Sequence, residues 1–237
     1  MKTEPRLKIA IPKQDKMKAP ALSYLSIRGF NLLNDDGETA ILSGRKWSIP
    51  NISVEFIRAS DALLLLQEKV VDLAIIGSDV VDEKTSGLNP QLQKPYTKLD
   101  LEIAQCGFQI AVSNIIKEKI KTPSDLNGLR IITSYPNLLQ AWLTKNGVTP
   151  SKIITREGGG ESSIRQGIAD VVADLVDTGG TLRKNNLTAV FDVTRTSAKI
   201  YSPQSSNFMS ELLANEFLRY LRLPIDDMPS ISALKAA

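Results

Sequence analysis

Short apolar runs rich in Val and Ile alternate along this chain with amphipathic segments of about ten residues. An extended run that buries both faces and then feeds a helix is the signature of βα units, so the pattern predicts an α/β fold built on largely parallel sheet. In the first half, "LKIAI" (Leu7 to Ile11), "SVEFIRA" (Ser53 to Ala59) and "VDLAIIG" (Val71 to Gly77) read as strands, with helices near Ala19 to Gly29 and Asp61 to Glu68. Between them "DDGETAILSGRKWSIPN" reads as a hairpin or loop, because Asp36-Gly37 and Ser43-Gly44 are turn dipeptides flanking a short apolar strand.

From Cys106 the units shorten. "CGFQIAV", "LRIITS", "SKIIT", "DVVADLV" and "AVFDVT" read as strands, and "TPSDLNG" as a short capped helix. "PNLLQAWLTKNG" reads as a helix with Pro136 in its first turn and Gly147 past its end, and shorter helices are expected near Glu161 to Ala169 and Thr181 to Asn186. After them "SNFMSELLANEFLRYLR" carries Phe208, Leu212, Leu213, Phe217, Leu218 and Leu221 at helical spacing, a stripe suited to packing against the first half. A chain of 237 residues accommodates two lobes of about 110 to 120 each. The expected division is lobe I from 1–104 plus 193–237 and lobe II from 105–192, with the chain crossing twice. The tail "MPSISALKAA" reads as frayed.

Composition narrows the chemistry. With one cysteine and no histidine, His-dependent triads, the commonest zinc sites and an intramolecular disulfide are excluded. No run of about 18 apolar residues is present, and the start "MKTEPRLKIAI" lacks the form of a secretion signal, so a soluble, cytoplasmic protein without a membrane partner is expected. A net charge of +3, with Lys and Arg interleaved among Asp and Glu, gives no footprint for nucleic acid.

In α/β proteins ligands gather at the carboxyl ends of parallel strands, where helix N-termini present free amides. Three successive turns of the second lobe fit: "TSYPN" (Thr133 to Asn137), "GGGESS" (Gly158 to Ser163) and "DTGGT" (Asp177 to Thr181). In the last, Gly179 and Gly180 permit close backbone approach and Thr178 and Thr181 add hydroxyls, which suits a phosphate monoester and equally suits a turn in which Thr caps and Gly serves geometry. Asp174 and Asp177 suit a ribose diol or Mg²⁺. The glycines before Glu161 read either as a flexible link or as part of the same site. Tyr135, ahead of a proline, suits stacking on a nucleobase or wedging between lobes. In the first lobe Arg58 ends a strand with Asp61 at the next N-cap, and Lys13 and Lys16 follow the first strand. Each of these cations is a candidate polyphosphate clamp or a solvated charge.

These residues resemble the catalytic chain of the ATP phosphoribosyltransferase family. The likeness is carried by "LKIAIPKQDKM", "FIRASDALLLLQEKVVDLAIIGSDVVDE", "LDLEIAQC", "LNGLRIITSYPNLL" and most specifically "GGGESSIRQGIADVVADLVDTGGTL". It implies two α/β lobes with a central cleft, like a type II periplasmic binding protein. It also implies transfer of the phosphoribosyl group of phosphoribosyl pyrophosphate (PRPP) to N1 of ATP's adenine, the first step of histidine biosynthesis, with Mg²⁺ required. Asp174 would then meet the ribose hydroxyls, Thr178, Gly179, Gly180 and Thr181 would hold the 5-phosphate, and Asp177 would stand with them in the PRPP-binding loop. Arg58 and Lys16 would face phosphates of ATP or the leaving pyrophosphate, and Lys13, Tyr135 and Glu161 would line the cleft. No dedicated protein ligand for the metal is implied beyond a candidate role for Asp174. The length resembles the short form, which works as a homodimer within a hetero-octamer with a regulatory subunit similar to histidyl-tRNA synthetase.

Several positions depart from the family pattern. "G-R-L" after Lys13 is Asp15, Lys16 and Met17, which replaces a forked guanidinium by a lysine. The usual glycines at 69 and 74 are Lys69 and Ala74, the basic residue after Cys106 is Gly107, and the usual serine of the glycine-rich loop is Gly159. Two other readings fit the same residues. One is a non-catalytic PRPP-binding paralogue, motivated by Asp15, Lys69 and Gly107; the other is a solute-binding protein, since "TPSDLNGLRI" also occurs in that architecture.

Overall fold

The computed structural model describes residues 7–44, 52–87, 92–156, 158 and 160–223. The elements in order are β1 (Leu7–Pro12), α1 (Asp15–Ile27), β2 (Phe30–Asp35), β3 (Thr39–Gly44), β4 (Ile52–Ile57), α2 (Ala59–Gln67), β5 (Leu73–Gly77), α3 (Ser78–Thr85) and β6 (Tyr96–Asp100). There follow β7 (Cys106–Ser113), β8 (Arg130–Thr133), α4 (Pro136–Lys145), β9 (Lys152–Thr155), α5 (Gly160–Arg165), β10 (Val171–Val176), α6 (Gly180–Lys184), β11 (Leu187–Thr196), β12 (Ala198–Ser202) and α7 (Phe208–Leu221). Among the described residues no helix is long and apolar enough to cross a membrane.

The chain forms two α/β units, one of 1–81, 92–104 and 198–237, the other of 82–91 and 105–197. Residues 82–91, placed by the sequence in lobe I, fall in the second unit, as do 193–197, because β11 continues unbroken to Thr196.

The first unit holds a seven-stranded sheet ordered β2-β3-β4-β1-β5-β12-β6. Parallel pairing is confined to its centre, β4-β1-β5; β5 and nearly all of β1 are buried on both faces, as parallel strands tend to be, while β4 alternates buried and half-buried. The expectation of largely parallel sheet is therefore corrected: the β2-β3 hairpin and the returning β12 pair antiparallel. Leu7, Ile9 and Ile11 face a core completed by Phe30, Leu42, Val54, Leu73, Ile200 and α7. Helix α7 starts on an Asn207 cap whose side chain accepts from the Ser210 amide at 2.8 Å. Its buried stripe is Ala214, Phe217, Leu218 and Leu221, confined to the second half of the helix, while Phe208 and Leu212, expected in that stripe, are 80% and 52% exposed.

Three further details differ locally. Helix α1 begins at Asp15, four residues before the expected start, and carries Pro20 inside it. Asp61 is the third residue of α2, and Arg58 holds the N-cap position, so Asp61 is not the cap. Ser43-Gly44 lies within β3, paired to β2, while Asp36 makes the turn by accepting from the Glu38 and Thr39 amides. Residues 45–51 and the C-terminal tail lie outside the described residues.

The second unit is a five-stranded sheet ordered β11-β7-β10-β8-β9. Strands β10, β8 and β9 run parallel, and β7 and β11 antiparallel to β10 and to each other. One face packs Phe108, Ile110, Ile131, Val171 and Ala173 against Leu139 and Leu143 of α4. The other packs Ala111, Ile132 and Val172 against Ile164 of α5 and Leu182 of α6. The expected short capped helix is a 3-10 turn, Pro123–Leu126, closed by a capping box between Thr122 and Asp125.

Candidate functional site

Register sets the geometry of the second unit's edge. Ala173 pairs with Thr133 and Thr133 with Thr155, so β8 and β9 end level and their turns into α4 and α5 emerge side by side. Strand β10 continues past Ala173 for three residues, Asp174 to Val176, carrying Asp174 to the rim.

The β8-α4 and β9-α5 turns are stitched together. The Ser134 hydroxyl donates to the Arg156 carbonyl at 2.8 Å and accepts from the Gly158 amide at 3.3 Å. The Arg156 guanidinium in turn donates to the buried Ser163 hydroxyl at 3.1 Å. Thr133 Oγ1 accepts the Tyr135 amide at 2.9 Å, and the Tyr135 ring packs edge-on against Phe108, centroids 5.5 Å apart. That ring thus contributes to the second unit's own core, a role neither sequence reading of Tyr135 foresaw. The α4 N-terminus is held by Glu83 of α3: its buried carboxylate accepts from the Asn137 and Leu138 amides at 3.0 and 2.9 Å. Burial raises the Glu83 pKa, opposed by those two amides.

In the glycine-rich turn Gly158 is left-handed at φ 69°, and Gly160 has a steric purpose. A Cβ on it would stand 2.8 Å from Val172 Cγ2 and 3.9 Å from Asp174 Oδ2, so the absence of a side chain lets α5 lie directly on β10. Gly159 lies outside the described residues. Glu161 follows in the first turn of α5, half-buried and within electrostatic range of Asp174.

The third turn leaves Asp177, Thr178 and Thr181 exposed, with Gly179 left-handed at φ 70° as the N-cap of α6. First-turn amides have no intrahelical acceptor, so this loop presents amides and hydroxyls to solvent. Arg183, one helical turn on, lies over it, its Nη1 3.1 Å from where a Gly179 Cβ would be. Asp174 is the recessed acid of the group. Burial raises its carboxyl above the ordinary aspartate range, the Leu175 amide opposes that at 2.8 Å, and the Glu161 charge adds to the rise. At the opposite end of β10, Asp170 has a contrasting role: a fork from Arg130, at 3.0 and 2.8 Å, lowers its pKa and ties β8 to β10.

In the first unit, Pro12 pairs with Ile57 and the Lys13 amide donates to the Ile57 carbonyl at 2.8 Å, which sets Lys13 and Arg58 beside each other at the carboxyl ends of β1 and β4. Lys16 stands in the first turn of α1, and all three side chains are exposed. Each unit therefore presents its expected residues at a carboxyl edge. Sequence reasoning missed Glu83, Ser134, Arg156 and Arg183. Of these, Ser134 lay inside the quoted turn "TSYPN" without being singled out, and Arg183 had a local signal as a cation four residues after the loop glycine Gly179.

The family model described as ATP phosphoribosyltransferase matches residues 58–222. An ATP phosphoribosyltransferase from Alkaliphilus metalliredigens is 32% identical over 84% of this chain and 88% of its own length. Another, from Methanopyrus kandleri, is 31% identical over 81% of this chain, and the match spans only 63% of that relative. Among solved structures, the ATP phosphoribosyl transferase (HisG:HisZ) complex from Thermotoga maritima contains a chain alike in fold at TM-score 0.69 and 23% identity, over 93% of this chain and 98% of that one. The periplasmic aliphatic sulphonate binding protein SsuA from Escherichia coli shares the fold at TM-score 0.57 and 15% identity, over 92% and 72%, which places the two units in the periplasmic-binding-protein-like class. With the match to the family model spanning most of the chain, and "GGGESSIRQGIADVVADLVDTGGTL" within it, this chain belongs to the ATP phosphoribosyltransferase family.

Proposed function

We propose that this chain transfers the phosphoribosyl group of PRPP to N1 of ATP's adenine, releasing pyrophosphate, as the first step of histidine biosynthesis in the cytoplasm. The observation that carries this reading is the rim of the second sheet, where the recessed Asp174 stands beside an exposed Thr-Gly-Gly-Thr loop. A carboxylate there accepts hydrogen bonds from a ribose diol, and the loop's amides and hydroxyls with Arg183 suit its 5-phosphate. In this reading Thr178, Gly179, Gly180 and Thr181 hold the phosphate, Asp177 stands in the same PRPP-binding loop, Tyr135 and Glu161 belong to the neighbouring turns, and Lys13, Lys16 and Arg58 meet phosphates of ATP or the pyrophosphate.

Displacement at the anomeric carbon forms the bond to N1 and breaks the bond to the pyrophosphate oxygen. Adenine N1 is already nucleophilic, so no protein nucleophile is needed, in keeping with a chain that has no histidine. The residues bind, orient the two substrates, exclude water and stabilise the departing charge. Mg²⁺ fits as an ion arriving with the diphosphate. Among the described residues no group of three or more His, Cys, Asp or Glu stands ready to hold a metal, and Mg²⁺ completed by phosphates and water needs only one or two carboxylates, which Asp174 and Glu161 offer. When bound, the ion supplies charge neutralisation on the leaving group. The Thermotoga chain of like fold comes from a HisG:HisZ complex, which supports a HisZ-like partner for this chain; the finer assembly, a homodimer within a hetero-octamer whose regulatory subunit is similar to histidyl-tRNA synthetase, is what the sequence resemblance implies.

The test mixes purified chain, ATP, PRPP and Mg²⁺, with and without such a subunit, and follows pyrophosphate. Release that Asp174→Ala abolishes together with PRPP binding is the expected result. No release in either mixture, or PRPP affinity unchanged in Asp174→Ala, overturns the reading.

A further inference from the structure

Asp174 does not stand alone on its face of the sheet. In the antiparallel pairing of β10 with β7 it is directly opposite Gln109, and Gln109 is in turn opposite Asp192 of β11. Directly opposed residues project to the same side, so the three form a row across the strands on the face that carries α5 and α6. Within the row Gln109 Nε2 donates to Asp192 Oδ1 at 2.7 Å. Glycines frame it: the Gln109 amide folds over Gly107, with Nε2 3.5 Å from where a Cβ on that residue would lie, and Gly160 backs Asp174. No side chain at either glycine intrudes on the row.

We infer that Gln109, oriented by Asp192, is a second recognition element beside Asp174 for the ring hydroxyls of the phosphoribosyl donor; this rests on the PRPP reading above. The chemistry of the row selects the ligand group. A carboxamide carries two N–H donors and one carbonyl acceptor, and a single bond to Asp192 leaves capacity for both kinds of partner. A hydroxyl both donates and accepts and meets that capacity. A phosphate between two carboxylates is repelled, which assigns the row to the sugar and leaves the phosphate to the Thr178 to Thr181 loop. Gln109 is half-buried and Asp192 exposed, so neither is needed to fill the core.

The experiment measures dissociation constants of PRPP, ribose 5-phosphate, 2-deoxyribose 5-phosphate and 3-deoxyribose 5-phosphate for the full chain, Gln109→Leu and Asp192→Asn, with thermal melts alongside. The wild type is expected to prefer ribose 5-phosphate over at least one deoxy analogue, and Gln109→Leu to reduce that preference by about threefold to tenfold, the worth of one neutral hydrogen bond. Asp192→Asn should reduce it in the same direction by less, and it decides the matter should Gln109→Leu fail to fold. A wild type that binds PRPP with the preference untouched in both variants overturns the role of Gln109 and leaves the PRPP reading standing, as does an equal loss for ribose and deoxy ligands. A wild type that binds neither PRPP nor ribose 5-phosphate overturns both.

Discussion

Replacing Gly160 by alanine tests whether close contact between α5 and β10 builds the candidate site. The backbone there is not left-handed, so alanine meets no conformational barrier and the effect is steric alone. Its Cβ would arrive 2.8 Å from Val172 Cγ2, and ordinary contact begins near 3.4 Å, so helix or strand must yield by 3.4 − 2.8, about 0.6 Å. Val172 is buried and bordered by Ala111, Ile132 and Leu182, which leaves it little room to rotate away. Overpacking of this kind costs about 1–3 kcal/mol. For a chain of this size each kcal/mol moves the melting temperature by about 2–4 °C, giving a fall of about 2–12 °C. Because the same displacement lifts Glu161 and the helix start away from Asp174, PRPP affinity should fall with it. Val172→Ala removes the opposing methyl, so in a double-mutant cycle by urea unfolding the pair should cost less than the sum of the singles by at least about 1 kcal/mol. Additive costs, or a Gly160→Ala variant melting with the wild type, would refute the claim that this glycine is there to seat α5.

Asp174→Asn changes how stability depends on pH. Burial first, then the Glu161 charge, raises the Asp174 pKa, so the folded state holds a proton that the unfolded chain releases. Stability from this group is complete below the unfolded aspartate value and is lost as pH rises through the window up to the folded value. The variant should lack that decline, melting above the wild type at neutral pH while failing to bind PRPP; parallel melting curves from pH 3 to 7 would contradict it. Glu83→Ala strips two amides at the α4 N-terminus of their acceptor and should cost about 2 kcal/mol or more in urea unfolding, while a loss under about 0.5 kcal/mol would show the clamp to be idle. Lys69 is left-handed at φ 57°, where the family pattern has glycine. Lys69→Gly should relieve strain of about 1–2 kcal/mol against an unfolded-state penalty of about 0.4–1 kcal/mol. The net gain should be absent in Lys69→Ala, so equal stability of the two variants would refute strain at this position.

What the sequence made legible was local. Pro136 at the head of α4, left-handed Gly147 after its end and the Thr122–Asp125 capping box each satisfy backbone groups within a few residues, so their chemistry can be read without knowing the fold. The continuous apolar runs of β1 and β5 announce burial on both faces. By contrast α3 was unread: "SDVVDEKT" is short and lacks a long apolar stripe, and the purpose of its Glu83 exists only once α4, 54 residues on, is in place. Strands β6 and β12 were missed in the same way, because β12 gains its character from pairing with β5 across about half of the chain, Ala198 lying opposite Gly77. At the candidate site the division is sharper. Spacing from Glu161 to Leu182 carried the resemblance and hence the ligand, which the bare turn chemistry of "DTGGT" left open. It said nothing of Gln109 and Asp192, whose bond spans 83 residues and appears only when β7 lies between β10 and β11. A residue that binds through a loop's own geometry is written where it acts, whereas one that binds through a row across strands is written in three places, and the sheet's register joins them.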